Sequence, residues 1–159
     1  MFPLKDNIPT DRFPVVTVAL IAINVVMYFA FQNGGFWFFE GGNAVFNERV
    51  DDYGAKPCEL SGDCADAGPS AIATLVTSMF MHGSLLHLGG NMLFLWIFGN
   101  NVEDRMGRVK YLVFYLLGGL AALGAQVAID PASAVPTIGT VLSGCTAMWA
   151  TPATRPPSR

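Results

Sequence analysis

The chain has 159 residues, of which 52% are hydrophobic and 13% charged, and its formal net charge is −3. This acidic balance lacks the basic footprint that nucleic-acid binding needs, so nucleic acid is excluded as a partner. The length allows one domain. The charges are also unevenly spread, and the stretches without Asp, Glu, Lys or Arg are 13–39, 67–102, 111–129 and 131–154. A helix of about 20 apolar residues can cross a bilayer, so an ordinary soluble domain is excluded as well.

The first apolar segment, 13–31, is uncharged and predicts a membrane-spanning helix. Residues 1–12 mix two acids with two bases, which is not typical of a signal peptide. We therefore interpret 13–31 as a retained span and 1–12 as a cytoplasmic leader.

A long connection follows at 33–70, and it carries seven acids but only two bases. This composition predicts an aqueous loop. Cys58 and Cys64 lie within it. They could close a small disulfide in an oxidising compartment or remain two thiols, and their spacing alone leaves both alternatives open.

The remaining apolar sequence predicts further helices on either side of a short charged turn at 103–110. Small residues on the last of these helices, around Gly118 to Ala125, form a face that another helix can approach closely. The predicted elements are a short helix or re-entrant piece at 71–81 and two spans at 85–102 and 111–129.

The Lys and Arg residues favour one orientation in the membrane. Five of them lie in 1–12 and 103–110, against two in 33–70, which predicts a cytoplasmic N-terminus and an external loop. A fourth span would begin near residue 138, but too few apolar residues remain before Pro152 for a complete crossing. We expect an all-α, polytopic membrane helix bundle with three full spans and the start of a fourth, in which 140–159 form a divergent partial fourth span and tail.

Two polar side chains in the 85–102 span are the first candidates for function, because polar groups inside a membrane are costly. His87 and Asn91 are four residues apart and share one helix face. Such a pair of neutral donors can stabilise an oxyanion in a low-dielectric setting. The alternative is that both side chains bond to neighbouring helices. His82 lies five residues before His87, so we expect the two to face apart, and we expect no metal site.

The segment MHGSLLHLGGNMLFLWIFGNNVEDRMGRVKYLVFYLLGGLAA strongly resembles the rhomboid family of intramembrane serine proteases. The resemblance also takes in the first span, the long loop and Val135-Pro136-Thr137-Ile138-Gly139, and it covers about residues 1–139. It implies cleavage of a substrate transmembrane helix near the external face, without a cofactor or metal. By this resemblance His87 and Asn91 are oxyanion residues, while His82, Glu103 and Arg105 have structural roles.

The resemblance weakens at the nucleophile. Rhomboids carry Gly-x-Ser-Gly, whereas this chain has Gly139-Thr140-Val141-Leu142-Ser143-Gly144. An ungapped comparison places Val141 at the nucleophile position and turns Ser143 about 200° away on a helix. A two-residue insertion before the helix would restore Ser143 to register. Ser143 is therefore the candidate catalytic serine, although it stands out of register.

The family's dyad histidine has no counterpart, because the chain contains only His82 and His87. A serine without a base is a weak nucleophile. We expect a truncation or frameshift after Gly139, so that the given chain is an incomplete, inactive serine endopeptidase. The alternatives are a catalytically dead binding module for a partner transmembrane helix and a fragment with no stable fold.

The expected surroundings follow from these interpretations. The partners are a transmembrane-helix substrate and membrane lipid, and the location is a bacterial-type plasma membrane. Helices left without their inner partners expose polar groups to lipid, which predicts marginal folding or oligomerisation.

Overall fold

The computed structural model describes residues 13–36, 38, 42–62 and 71–138. This part of the chain is helical, with one isolated β-bridge and no strand. The first helix continues directly into a π-helix, Met27–Phe31. The α-helices are α1 Val15–Val26, α2 Ala44–Tyr53, α3 Pro57–Ser61, α4 Ala71–Ser78, α5 Leu85–Met106 and α6 Arg108–Ile129.

The helices expected at 13–31, 85–102 and 111–129 are present, and of the two alternatives for 71–81 the structure shows a short helix. The expectation of a short turn at 103–110 is wrong. The charged stretch 103–110 is helical almost throughout, because its Glu, Arg and Lys residues favour helix. Only Gly107 breaks it, with a φ of 81° that a side chain would oppose. The long connection also contains α2 and α3. Asn43 starts α2 by accepting from Phe46 N–H (2.8 Å), while Pro57 and Gly62 bound α3.

Membrane crossing is supported most directly for α6, the one described helix that is both long and apolar enough to span a bilayer. The helical segment Val15–Phe31 is apolar but shorter. Helix α5 ends in Glu103, Asp104 and Arg105, which lower its apolar character. The number of spans therefore stays a prediction.

The described residues bury polar side chains alongside apolar ones and leave many large apolar side chains exposed. Phe94, Phe98 and Phe114 are each about half exposed on α5 and α6. Exposed apolar faces of this extent suit contact with lipid or with other helices. The buried polar side chains are Thr17, Asn24, Gln32, Thr74, Ser78, His82, Ser84, Asn91 and Glu103.

Helices α1, α5 and α6 meet where α5 carries Gly99. A methyl group added at Gly99 would lie 2.5 Å from the Tyr111 hydroxyl and 3.1 Å from Thr17 Cγ2. Glycine therefore permits this crossing. Tyr111 and Tyr115 on α6 then pack with Leu20 of α1 in a buried cluster.

The residues that α6 buries are shifted by one sequence position from the small-residue face that the sequence predicts. Its members recur every four residues: Tyr111, Tyr115, Gly119 and Leu123. A side chain at Gly119 would collide with Met79, so this glycine makes the close approach. Gly118 and Ala125 are exposed, with open space around the Gly118 Cα.

The segment after α6 is held against α3. Cys58 N–H donates to Ser133 O (3.1 Å), and Thr137 N–H donates to Ala55 O (2.8 Å). The Ser61 hydroxyl donates to Pro131 O (2.9 Å). Cys58 is disulfide-bonded, and its partner cysteine lies outside the described residues. The long connection thus fixes the path of 131–138.

Helix α1 begins without a cap of its own, because Pro14 stands at its N-cap and offers no side-chain bond. A carboxylate from α5 replaces the cap. Glu103 accepts from the N–H groups of Val16 (3.0 Å) and Thr17 (2.8 Å) and from the Thr17 hydroxyl (2.9 Å). Glu103 is 4% exposed, so these bonds are shielded from water. One side chain thereby satisfies free donors of α1 and joins it to α5.

We expect Glu103→Gln to destabilise the fold by about 1–3 kcal/mol, because an amide nitrogen cannot accept the bonds that one carboxylate oxygen accepts. Unfolding in mixed micelles, followed by circular dichroism, measures the loss. Glu48→Gln makes the same exchange at an exposed position of α2 and should change stability by less than about 0.5 kcal/mol. Equal effects of the two exchanges would contradict this role of Glu103.

Candidate functional site

The candidate site lies at the start of α5, where Ser84 caps the helix. The Ser84 hydroxyl oxygen accepts from the backbone N–H of His87 (3.1 Å). Ser84 itself is extended, with φ −159° and ψ 164°. The cap fixes where α5 begins and therefore where the His87 side chain leaves the helix.

His82 precedes the helix in a buried, irregular link, where Gln32 holds its backbone. The carboxamide of Gln32 accepts from His82 N–H (2.9 Å) and donates to His82 C=O (3.1 Å). Gln32 is 0% exposed and His82 1% exposed. Gln32 therefore pairs both the N–H and the C=O of His82, which lies outside any helix or strand.

The rings of His82 and His87 contact each other edge to face, with their centroids 5.4 Å apart. The expectation that these residues face apart is therefore wrong. That expectation assumed one continuous helix, whereas α5 begins at Leu85 and His82 lies before it. A five-residue offset has no fixed angular meaning outside a helix.

The environment keeps the His82 ring neutral. Burial, together with a smaller effect of the adjacent His87, lowers the pKa of His82 from 6.5 to about 4, although a bond to Phe80 O acts in the opposite direction. His82 Nδ1 lies 3.3 Å from that carbonyl, which can only accept. The contact favours the tautomer with its proton on Nδ1.

Asn91 lies one turn after His87 on α5 and is 7% exposed. With His82 it lines one end of a cavity of about 300 Å³ between α5 and α6. The other lining residues are almost all apolar, including Phe94 and Phe114. Two polar groups at the end of an apolar groove give the low-dielectric setting in which a hydrogen bond to a developing charge is strong.

The chain returns to this site after α6. A methyl group at Gly83 would lie 3.6 Å from Cδ1 of Ile138, so Ile138 sits beside the residue that follows His82. Val141, Ser143 and the rest of the candidate nucleophile segment lie outside the described residues.

Glu103 and Arg105 lie far from the histidines. Sixteen residues of helix separate Glu103 from His87, which corresponds to about 24 Å. Arg105 is exposed. Within the described residues, the basic group beside Glu103 is that of Arg108, whose Nε lies 4.0 Å from Glu103 Oε1. Glu103 therefore belongs to the start of α1, and neither Glu103 nor Arg105 belongs to the polar site.

Sequence reasoning missed Gln32 and Ser84. Ser84 could have been found, because a serine three residues before a polar helix position is an N-cap pattern. Gln32 carried a weaker signal, as a polar residue at the end of an apolar segment. Its partner is a backbone 50 residues away, which no local pattern indicates.

Comparison with known proteins identifies the class of this protein. The family model described as "Rhomboid domain" matches residues 69–154, more than half of the chain. The chain therefore belongs to the rhomboid family, whose members are integral membrane proteins and intramembrane serine proteases. The match continues past Gly139 and includes Ser143.

Two curated relatives are similar to this chain. Rhomboid protease GluP of Bacillus subtilis is 27% identical over 133 residues, which are 83% of this chain and 23% of the relative. Presenilin-associated rhomboid-like protein A, mitochondrial, of Danio rerio is 39% identical over 46 residues, 29% of this chain and 12% of the relative. The chain thus spans less than a quarter of either relative. No solved structure matches it.

The depressed pKa of His82 predicts a pH-dependent stability. The unfolded chain binds a proton at His82 near pH 6.5, whereas the folded chain binds it only near pH 4. The free energy of unfolding should therefore fall as pH decreases through this window, by up to about 3 kcal/mol, and this group should contribute no further change below it.

Unfolding curves recorded across that window measure the effect. His82→Asn should flatten the decline, while His87→Asn, which retains His82, should keep most of it. A His82→Asn curve parallel to that of the unsubstituted chain would contradict the burial of a neutral imidazole.

Proposed function

We propose that this chain carries the oxyanion site of a rhomboid-type endopeptidase that cuts substrate transmembrane helices near the external face. The observation that carries the proposal is that Asn91 and the buried ring of His82 line one end of an apolar groove, while His87, one turn before Asn91 on α5, packs its ring against that of His82. Membership of a family of intramembrane serine proteases supports the reaction class.

The oxyanion donors are the side chains of His87 and Asn91. Attack on a peptide carbonyl places negative charge on its oxygen, and neutral N–H donors beside an apolar groove stabilise that charge without becoming charged themselves. Gly90 directly precedes Asn91 on α5, and nothing in the described structure lies within 4 Å of a side chain added there. A substrate backbone can therefore approach α5 at this level.

The nucleophile in this proposal is Ser143. The family match extends through residue 154 and so includes it. Ile138 lies beside Gly83, so the chain enters the segment of Ser143 close to the histidines. The proposal takes the register in which a two-residue insertion before the helix aligns Ser143, rather than Val141, with the nucleophile of the family.

The base is the part of the mechanism that these 159 residues do not supply. Both histidines present are assigned, His87 as a donor and His82 as its buried neighbour. A serine without a base reacts slowly, although an oxyanion site alone still accelerates attack. We therefore expect proteolysis by these residues alone to be undetectable, while a highly reactive probe still labels the serine.

The substrate is a transmembrane helix with small or helix-breaking residues near the cut. A helical carbonyl is already hydrogen-bonded, so the substrate must unwind locally before attack. The basic residues near Gly107 and the acidic loop after α1 support a cytoplasmic N-terminus and an external site in the plasma membrane.

Labelling with a fluorophosphonate tests the nucleophile and the oxyanion donors together. We expect slow labelling that Ser143→Ala abolishes and that rises about tenfold per pH unit, because only the ionised hydroxyl attacks without a base. Asn91→Ala should slow it by about 100-fold through loss of an oxyanion donor.

Ser133→Ala is the matched control, since it removes a serine from the loop before the candidate site and should leave labelling unchanged. Labelling that survives Ser143→Ala would remove Ser143 from the mechanism. A complete lack of labelling at high pH would instead favour the catalytically dead module that binds a partner helix.

The orientation is tested with single cysteines and a membrane-impermeant maleimide on intact cells. Val109 is 77% exposed beside the Gly107 break, and Val135 is 70% exposed after α6. We expect modification of Val135→Cys in intact cells and of Val109→Cys only after lysis. The reverse pattern would overturn the proposed topology.

A further inference from the structure

We propose that Gln32 is a positioning residue for this site: its carboxamide fixes the backbone of His82, and the His82 ring in turn orients the ring of His87. This proposal rests on the function proposed above in one respect only, which is that the oriented ring of His87 donates to an oxyanion. The arrangement of the two rings can be tested without any reaction.

The carboxamide suits this task because it offers a donor and an acceptor side by side. The two hydrogen bonds to His82, at 2.9 and 3.1 Å, use both of its ends. The two bonds hold the peptide groups on either side of the His82 Cα, so neither can rotate or shift without breaking a buried bond. Gln32 therefore sets the position and the direction of the His82 backbone.

Gln32 is itself fixed by the π-helix that ends α1. Its N–H donates to the carbonyl of Met27, five residues earlier, at 2.8 Å. A five-residue bond widens the last turn and changes the direction of the side chain that follows. The chain then leaves the helix at Asn33, which has a φ of 54°. The π-helix thus determines where the Gln32 side chain points.

His82 transmits this placement to His87 through direct ring contact. One side of the His82 ring bonds to Phe80 O (3.3 Å), and the ring meets His87 edge to face at 5.4 Å. Ser84 already fixes the backbone of His87. The neighbouring imidazole restricts the ring torsions of His87. An oxyanion donor needs placement to within about 0.5 Å, so this restriction matters for reactivity.

The test uses the fact that the chain has only two histidines. Isotope-labelled histidine gives two imidazole signals in a micelle NMR spectrum. In the unsubstituted chain we expect a nuclear Overhauser effect between the rings and a His82 titration midpoint near 4. Gln32→Met keeps the length of the side chain but removes both hydrogen bonds. It should abolish the inter-ring effect and raise the midpoint towards 6.5, the ordinary value, as water reaches the ring.

Gln126→Met is the matched control, because it makes the same exchange at a half-buried position of α6. The inter-ring nuclear Overhauser effect and the His82 titration midpoint should then remain as in the unsubstituted chain. Gln32→Glu is the second variant and keeps the test valid if Gln32→Met fails to fold. Its ionised carboxylate accepts from His82 N–H but cannot donate to His82 C=O, so the inter-ring effect should weaken.

Lowering the pH should restore the ring contact in the same Gln32→Glu variant. A protonated carboxyl regains the donor, so the inter-ring effect should return as pH is lowered towards 5. Purely structural damage would not reverse in this way. Folded Gln32 variants with an unchanged inter-ring effect and an unchanged His82 midpoint would overturn the proposal. An unreactive Ser143 would overturn the proposed function and leave this result standing.

Discussion

The bonds between Glu103 and the start of α1 organise the described structure. An apolar surrounding offers no water to the free N–H groups at a helix start, so these groups need partners from the protein. The partner comes from a residue 86 positions away from Thr17, which makes the beginning of α1 dependent on the end of α5. Gly99 lies one turn before Glu103 on the same helix and lets α1 and α6 approach. One carboxylate thereby aligns α1, α5 and the helix that follows Gly107.

The candidate site depends on the same alignment from the opposite end of α1. The helix and its π-helical continuation run for 17 residues, or about 25 Å, from the Glu103 carboxylate to Gln32. Gln32 then holds the backbone of His82, immediately before α5 begins. Helix α1 therefore links the last turn of α5 to the segment before its first turn. A shift at either end of α1 changes how the rings of His82 and His87 meet.

Some of these features could be predicted from the sequence and others could not, and the difference has physical reasons. Apolar segments identified the main helices because burial and membrane contact both need continuous apolar surface. The spacing of His87 and Asn91 placed them on one face because both lie inside α5. The contact between His82 and His87, the Gln32 clamp and the Glu103 cap depend on irregular backbone or on partners 50 or more residues away. Periodicity carries no information about such contacts.

The polar interior also determines what the site can do. His82, Asn91 and Gln32 are buried among apolar side chains, where an unpaired charge is costly and an unpaired donor is strongly attracted to any developing charge. Burial keeps the His82 ring uncharged near neutral pH, so the contact with His87 adds no repulsion between cations there. His82 and Asn91 can then line an apolar groove without a counterion. The interactions that fold this end of the bundle and those that would stabilise an oxyanion consequently have one physical origin, which is the cost of leaving polar groups unpaired away from water.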